Sequence, residues 1–217
     1  MWHATLALLA IAASACTTSE RSKLEAECAK GAPEGCYRLG TYLEYQVRDA
    51  VAALPPYTRA CDGNYARACT NLGSLYGRGV GTSPDHVRAA ALYRKGCDGK
   101  DAMACANLGD FLLRGIGVPA NIAAGLALYR QSCEAGEVVA CRDLGAVYLA
   151  GVSVPADPAL GARWLQKACD AGSAQGCGDL GHLYDKGSGV PQDSAAALRL
   201  YKTSCRGGYK QACQMVR

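Results

Sequence analysis

The chain has 217 residues, 50% of them hydrophobic, with 12 Tyr, 2 Trp, 1 Phe and a net charge of +4. Lysines and arginines are dispersed instead of forming a run, so nothing in the charge pattern calls for a nucleic-acid partner. The aromatic-poor, alanine- and leucine-rich composition suits thin helical layers better than one thick core, and 13 cysteines point to an oxidising compartment.

Taken in chain order, residues 1–15 read as an export signal. The segment is apolar from Ala4 to Ala13, ends in the small residues Ser14 and Ala15, and is too short for a permanent membrane span. Ala13-Ser14-Ala15-Cys16 resembles a bacterial lipobox, in which Cys16 would carry lipid and become the first residue of the mature chain. An ordinary cleaved signal with an incidental cysteine is the alternative. Cys16 is the odd cysteine of the set. Residues 16–22 would then be a short polar tether.

The other twelve cysteines pair off eight positions apart, as Cys28/Cys36, Cys61/Cys69, Cys97/Cys105, Cys133/Cys141, Cys169/Cys177 and Cys205/Cys213. The pairs recur at a step of 33 residues once and then 36 four times. A fixed period marks an array that grows by stacking, and predicts one elongated all-α domain over residues 23–217. Five helix-pair repeats are expected at 35–67, 68–103, 104–139, 140–175 and 176–211, closed by a C-terminal stub.

Each repeat reads as helix A, loop, helix B, turn. In the copy containing GIGVPAN, Leu108, Phe111 and Leu112 give helix A its apolar spacing, and the helix ends near Gly115. Helix B opens on Asp85, Asn121, Asp157 or Asp193, side chains able to accept from free amides of the first turn. Pro158 follows Asp157 at the first helical position. Gly73, Gly109, Gly145 and Gly181 on helix A should face Ala89, Gly125, Gly161 and Ala197 on helix B, where small residues permit close approach of the backbones; a hinge is the other explanation for these glycines. The first repeat departs from the pattern: its loop is three residues shorter and Pro55-Pro56 falls inside the expected helix B, which predicts a kink or break there.

On a continuous helix, cysteines eight apart would lie ~12 Å from each other, whereas a disulfide needs alpha carbons roughly 4.4–6.8 Å apart. The chain must therefore reverse between them. Gly136 and its counterparts Gly31, Gly63, Gly99, Gly172 and Gly207 are expected to end helix B in the left-handed conformation. Each pair then staples the end of helix B to the next helix A. Zinc would ask for cysteines two to four residues apart and four ligands together, a pattern this spacing does not offer, and neither metal nor cofactor is expected.

On helix A, the face opposite the crossing glycine carries Asn71, Ser74 and Arg78, then Asn107, Asp110 and Arg114, then Arg142, Asp143 and Ala146, then Asp179, His182 and Lys186. Such a polar stripe is either a binding surface or the solvated side of an amphipathic helix.

The Ala-Cys-x-Asn-Leu-Gly-x-x-Tyr opening, the Gly-x-Gly-Val-Pro-x-Asp loop and the Tyr-x-x-x-Cys-x-x-Gly close resemble the Sel1-like repeat (SLR) family over residues 28–217. The cysteine ladder places the chain nearest the branch of the Helicobacter cysteine-rich proteins. The resemblance implies a right-handed superhelical solenoid of antiparallel helix pairs, related to tetratricopeptide arrays and acting as a scaffold for protein or peptide partners. By that analogy the polar stripe lines a concave surface, and Asn71 and Asn107 match the position where such arrays hold a peptide backbone. Its mixed charges suit a polar segment of a partner more than an apolar ligand.

Two other function classes stay open. Members of the cysteine-rich branch have been described as beta-lactamases, but the chain has no Ser-x-x-Lys, Lys202-Thr203-Ser204 only mimics Lys-Thr-Gly, and His86 and His182 stand on different repeats. A helper in redox or metallocofactor assembly would instead keep its thiols cycling. The leading expectation is a non-catalytic scaffold in the periplasm or on the outer membrane, touching the membrane only through a lipid anchor, or else secreted.

Overall fold

A computed structural model describes residues 20–216 except Thr82 and Val152. The expected signal, Cys16 and the start of the tether lie outside the described residues, whereas residues 20–22 are already helical. The described residues form helices joined by turns and loops, without a strand. A first helix, α1, runs through residues 20–29. It is followed by α2 (Pro33–Thr41), which continues into a π-helical turn at Tyr42–Gln46, then α3 (Leu54–Asp62), α4 (Ala66–Arg78), α5 (His86–Asp98) and α6 (Ala102–Arg114). The second half holds α7 (Ile122–Glu134), α8 (Val138–Ala150), α9 (Pro158–Asp170), α10 (Ala174–Lys186), α11 (Ser194–Arg206) and the short α12 (Lys210–Gln214). None of these helices is long and apolar enough to cross a membrane.

The chain divides into two compact units, Met1–Ala104 and Cys105–Arg217. In the first, α2 packs on α3 and α4 on α5, with α3 and α4 also in contact. Leu39, Leu43, Tyr57, Leu72 and Leu75 fill its core together with the cysteines of the first two pairs. In the second, α8 packs on α9 and α10 on α11, while α7 meets α8 and α9 meets α10. Its apolar residues collect in successive thin layers, with Leu144 and Tyr129 in one and Leu165, Leu180 and Leu183 in the next. Thin layers bury little apolar surface each, so the crossing distance matters. A Cβ on Gly109 would lie 3.0 Å from the Gly125 carbonyl oxygen, and one on Gly145 3.1 Å from that of Gly161. The matched small residues therefore set helix A directly against helix B.

The caps fall where their side chains allow them. The Asp85 Oδ1 accepts from the Arg88 amide at 2.9 Å, Asn121 from Ala124 at 3.0 Å, Asp157 from Leu160 at 2.9 Å and Asp193 from Ala196 at 2.9 Å. The same residues are anchored to helix A through their own amides, Asp85 donating to the Tyr76 carbonyl and Asp193 to that of Tyr184, both at 2.9 Å.

Staples close the turns after helix B. Alpha carbons are 4.3 Å apart in Cys28–Cys36, 4.5 Å in Cys169–Cys177, and 4.7 Å in Cys61–Cys69, Cys133–Cys141 and Cys205–Cys213. Cys97 and Cys105 are disulfide-bonded as well.

Two expectations need correction. Gly31, Gly136 and Gly172 have positive φ, but Gly63, Gly99 and Gly207 do not. The left-handed residue is always the third after the first cysteine of the pair, and in those copies it is Asn64, Lys100 and Gly208. Backbone bonding shows why. The third residue donates back to the cysteine carbonyl and the fourth to the residue before the cysteine, as in Asn64 to Cys61 and Tyr65 to Ala60, both at 2.9 Å. This Schellman closure pins the left-handed site one place beyond the glycine. Glycine is needed at the earlier place for room: a Cβ there would come within 2.5 Å of Pro33 at Gly63, 2.7 Å of Ala66 at Gly99 and 2.6 Å of Ala174 at Gly207.

The second correction concerns Pro55 and Pro56. Helix α3 is neither kinked nor split; it starts at Leu54, so both prolines fall in its first turn, where missing amides break no helical bond. The shortened loop is instead accommodated by the π-helical extension of α2 and a turn in which Asp49 Oδ1 accepts from the Ala52 amide at 2.9 Å.

Candidate functional site

Numbering each repeat from its cysteines exposes a row the sequence stripe only partly captured. For the five pairs after Cys28/Cys36, the residue four before the first cysteine is Tyr57, Tyr93, Tyr129, Leu165 or Tyr201 on helix B. The residue two after the second cysteine of those five pairs is Asn71, Asn107, Asp143, Asp179 or Met215 on the following helix A.

In the first unit the two positions meet. Tyr57, fully buried, donates its hydroxyl proton to Glu44 Oε2 at 3.0 Å and accepts from Asn71 Nδ2 at 3.0 Å. The Glu44 carboxylate, its side chain only 9% exposed, is paired through Oε1 with Arg78 at 3.0 Å. Glu44 stands on the π-helical turn, whose wider winding belongs to the departure of the first repeat. Burial is the main cause that pushes the Tyr57 hydroxyl far above its ordinary value, with its hydrogen bonds to Thr41 and Asn71 opposing it, so it stays neutral. Asn71 and Arg78 thus join one network, and Ser74 is half-buried on the same helix.

In the second unit the row is charged. Tyr129, 4% exposed, lies within the field of Asp110, Asp143, Arg114 and Arg142, and burial again holds its proton on. Arg114 pairs with Asp110 at 3.1 Å, and Arg142 with its neighbour Asp143. Burial raises Asp143 above the usual carboxylate range, opposed by Arg142; it raises Asp179 likewise, opposed by Arg142 and His182. Asn107 is half-buried in this unit, Ala146 and His182 are exposed, and exposed Lys186 sits 3.8 Å from Asp185. The cluster can take hydrogen bonds and compensate charge. Among the described residues, no group of three or more His, Cys, Asp or Glu side chains could hold a metal ion.

Tyr57, Tyr129 and Glu44 escaped the sequence stripe because two of them belong to helix B and the third to the irregular copy. Recurrence of tyrosine at a fixed distance before the cysteine was the available signal.

Helix pairs repeated at a fixed period, closed by disulfides and carrying a polar row, define an all-α repeat scaffold of the disulfide-stapled kind. The profile of the Sel1 repeat matches residues 33–53, 66–101, 102–137, 138–173 and 174–209, and the chain belongs to that family. Among solved structures it is similar to a Sel1 repeat protein from Oxalobacter formigenes, with 29% identity, 87% of this chain and 76% of that one covered, and a TM-score of 0.76. It is also similar to c5321, a protective antigen of uropathogenic Escherichia coli displaying an SLR fold, at 28% identity, 90% and 43% coverage and a TM-score of 0.73. The cysteine rich protein B of Helicobacter pylori aligns at 26% identity over 61% of this chain and 95% of that one, with a TM-score of 0.49. This chain spans less than half the length of the Escherichia coli antigen. No curated protein matches it.

Sel1 repeat proteins are typically protein-interaction scaffolds, and the disulfides, which persist in oxidising compartments, fit an exported chain.

Proposed function

We propose that the protein is a non-catalytic scaffold of the cell envelope that binds a protein or peptide segment through the polar row of its A helices. The observation that carries this is the half-buried network itself. A merely solvated face would keep its charges extended in water, yet here Asp143 and Asp179 are held against a burial penalty and Asn71 is oriented by a buried tyrosine. Preorganised polar groups are what a binding surface gains from such a cost. The lipobox-like segment ending at Cys16 supports anchoring to a membrane by lipid, with the repeats held in the periplasm or at the outer membrane.

The test is capture from cell-envelope extract by the tagged, oxidised protein and by its Asn71→Ala, Asn107→Ala and Arg114→Ala variants. A partner retained by the parent and lost at least about tenfold by the variants, whose helical circular dichroism is unchanged, is the expected result. Partners retained equally by all of them would remove the row from the binding surface.

A further inference from the structure

The staples are chemically alike but not equally covered. In the four pairs from Cys28–Cys36 to Cys133–Cys141, no cysteine is more than 8% exposed. In the fifth, Cys177 is buried and only Cys169 is half-buried, whereas Cys205 and Cys213 are half-buried together. The cover explains the difference. Beyond the turns of the earlier copies, α8 and α10 each run for 13 residues, but α12 has 5 and buries only Ala212.

Charge sets the same staple apart. Every other pair encloses a carboxylate, directly after the first cysteine in Asp62, Asp98, Glu134 and Asp170, and at Glu34 in the first. Cys205–Cys213 encloses none. Arg206 takes the place of the acid, Lys210 follows it, and both are exposed. Arg206 donates to the Thr203 hydroxyl at 3.4 Å, and among the described residues no carboxylate pairs with either cation.

Thiol–disulfide exchange needs a thiolate to reach one sulfur and the other sulfur to depart as a thiolate. Partial exposure provides the approach. Cations beside the pair draw an anionic thiol in and stabilise the departing sulfur, where a neighbouring carboxylate would oppose both.

We propose that Cys205–Cys213 is an exchange site for anionic thiols and that the other five staples are inert to them. The incoming thiolate bonds to one cysteine sulfur, the S–S bond breaks, and the other cysteine leaves as a thiolate. A second thiolate then bonds to the first thiol's sulfur and releases the remaining cysteine. Two thiols end as their own disulfide, both cysteines are reduced, and the protons the thiols gave up end on the cysteines. Helix α12 is then held by the small apolar layer of Ala197, Tyr201 and Ala212 instead of by a covalent bond.

The oxidised full chain, kept free of oxygen, is treated with 2-mercaptoethanesulfonate or with cysteamine, and free cysteines and mixed disulfides are trapped over time and mapped by peptide mass spectrometry. With the sulfonate, Cys205–Cys213 should open about tenfold or more faster than any other pair. Arg206→Glu combined with Lys210→Glu should slow the sulfonate about fivefold or more at this pair and leave cysteamine no slower. Equal opening of all six pairs, or earlier opening of another, would overturn the site. A double variant as fast as the parent with the sulfonate, or slowed equally with both thiols, would overturn the choice of anionic thiols.

Discussion

Asp179 is held in the fold against the cost of its own burial. Its folded-state pKa is raised above the ordinary 3.8, chiefly by burial, so the folded chain holds a proton that the unfolded chain releases. Stability contributed at this site therefore falls as pH rises from the ordinary carboxylate range through the raised value, and the penalty persists at neutrality. Asp179→Asn should raise the neutral-pH melting temperature by about 1–3 °C, with the gain vanishing near pH 3. Differential scanning fluorimetry across pH checks this; a variant less stable than the parent at pH 7 would show that Arg142 and His182 outweigh burial. In the last copy Met215 stands where Asn71 stands beside Tyr57, and among the described residues the buried Tyr201 hydroxyl has no hydrogen-bond partner. Residue types alone could not reveal the pairing of Tyr57 with Asn71, because the tyrosine and the amide that donates to it lie on different repeats, 14 residues apart.

At the scale of one element, the end of helix B shows how far local rules carry. Side-chain caps at Asp85, Asn121, Asp157 and Asp193 were legible, because a short polar side chain before a helix has one favourable use. The left-handed residue was not, since glycine marks either unusual φ or lack of room, and only packing tells the two apart. Asn64 tolerates its φ of 63°, whereas Lys100, at 68°, is strained there by its Cβ. Lys100→Gly should therefore stabilise the chain by about 0.5–1 kcal/mol. Gly99→Ala should destabilise by about 1–3 kcal/mol, since the new methyl would approach Ala66 Cβ at 2.7 Å. Chemical denaturation compares them, and equal effects at both positions would contradict the assignment of separate roles. Pro55 and Pro56 teach a related lesson: the pair argued correctly against a helix interior, but the helix start moved to meet them.

For the whole molecule, period and cysteine register were the most readable features. Repetition multiplied each weak local signal, so the all-α helix-pair architecture and the family emerged from the sequence, with family matches at the same 36-residue step. The division into two units left no mark in the sequence, because the repeats on either side of Ala104 share one motif. Layers this thin leave a large part of the stabilisation to the staples. With about nine residues in each closed loop, the chain-entropy account assigns ~2.5 kcal/mol to a bond. Mapping disulfides by mass spectrometry of the exported, unreduced protein tests the account most directly. Every cysteine from Cys28 onward should be linked to the one eight positions away, in six separate loops; free thiols at these positions, or links between different turns, would contradict it.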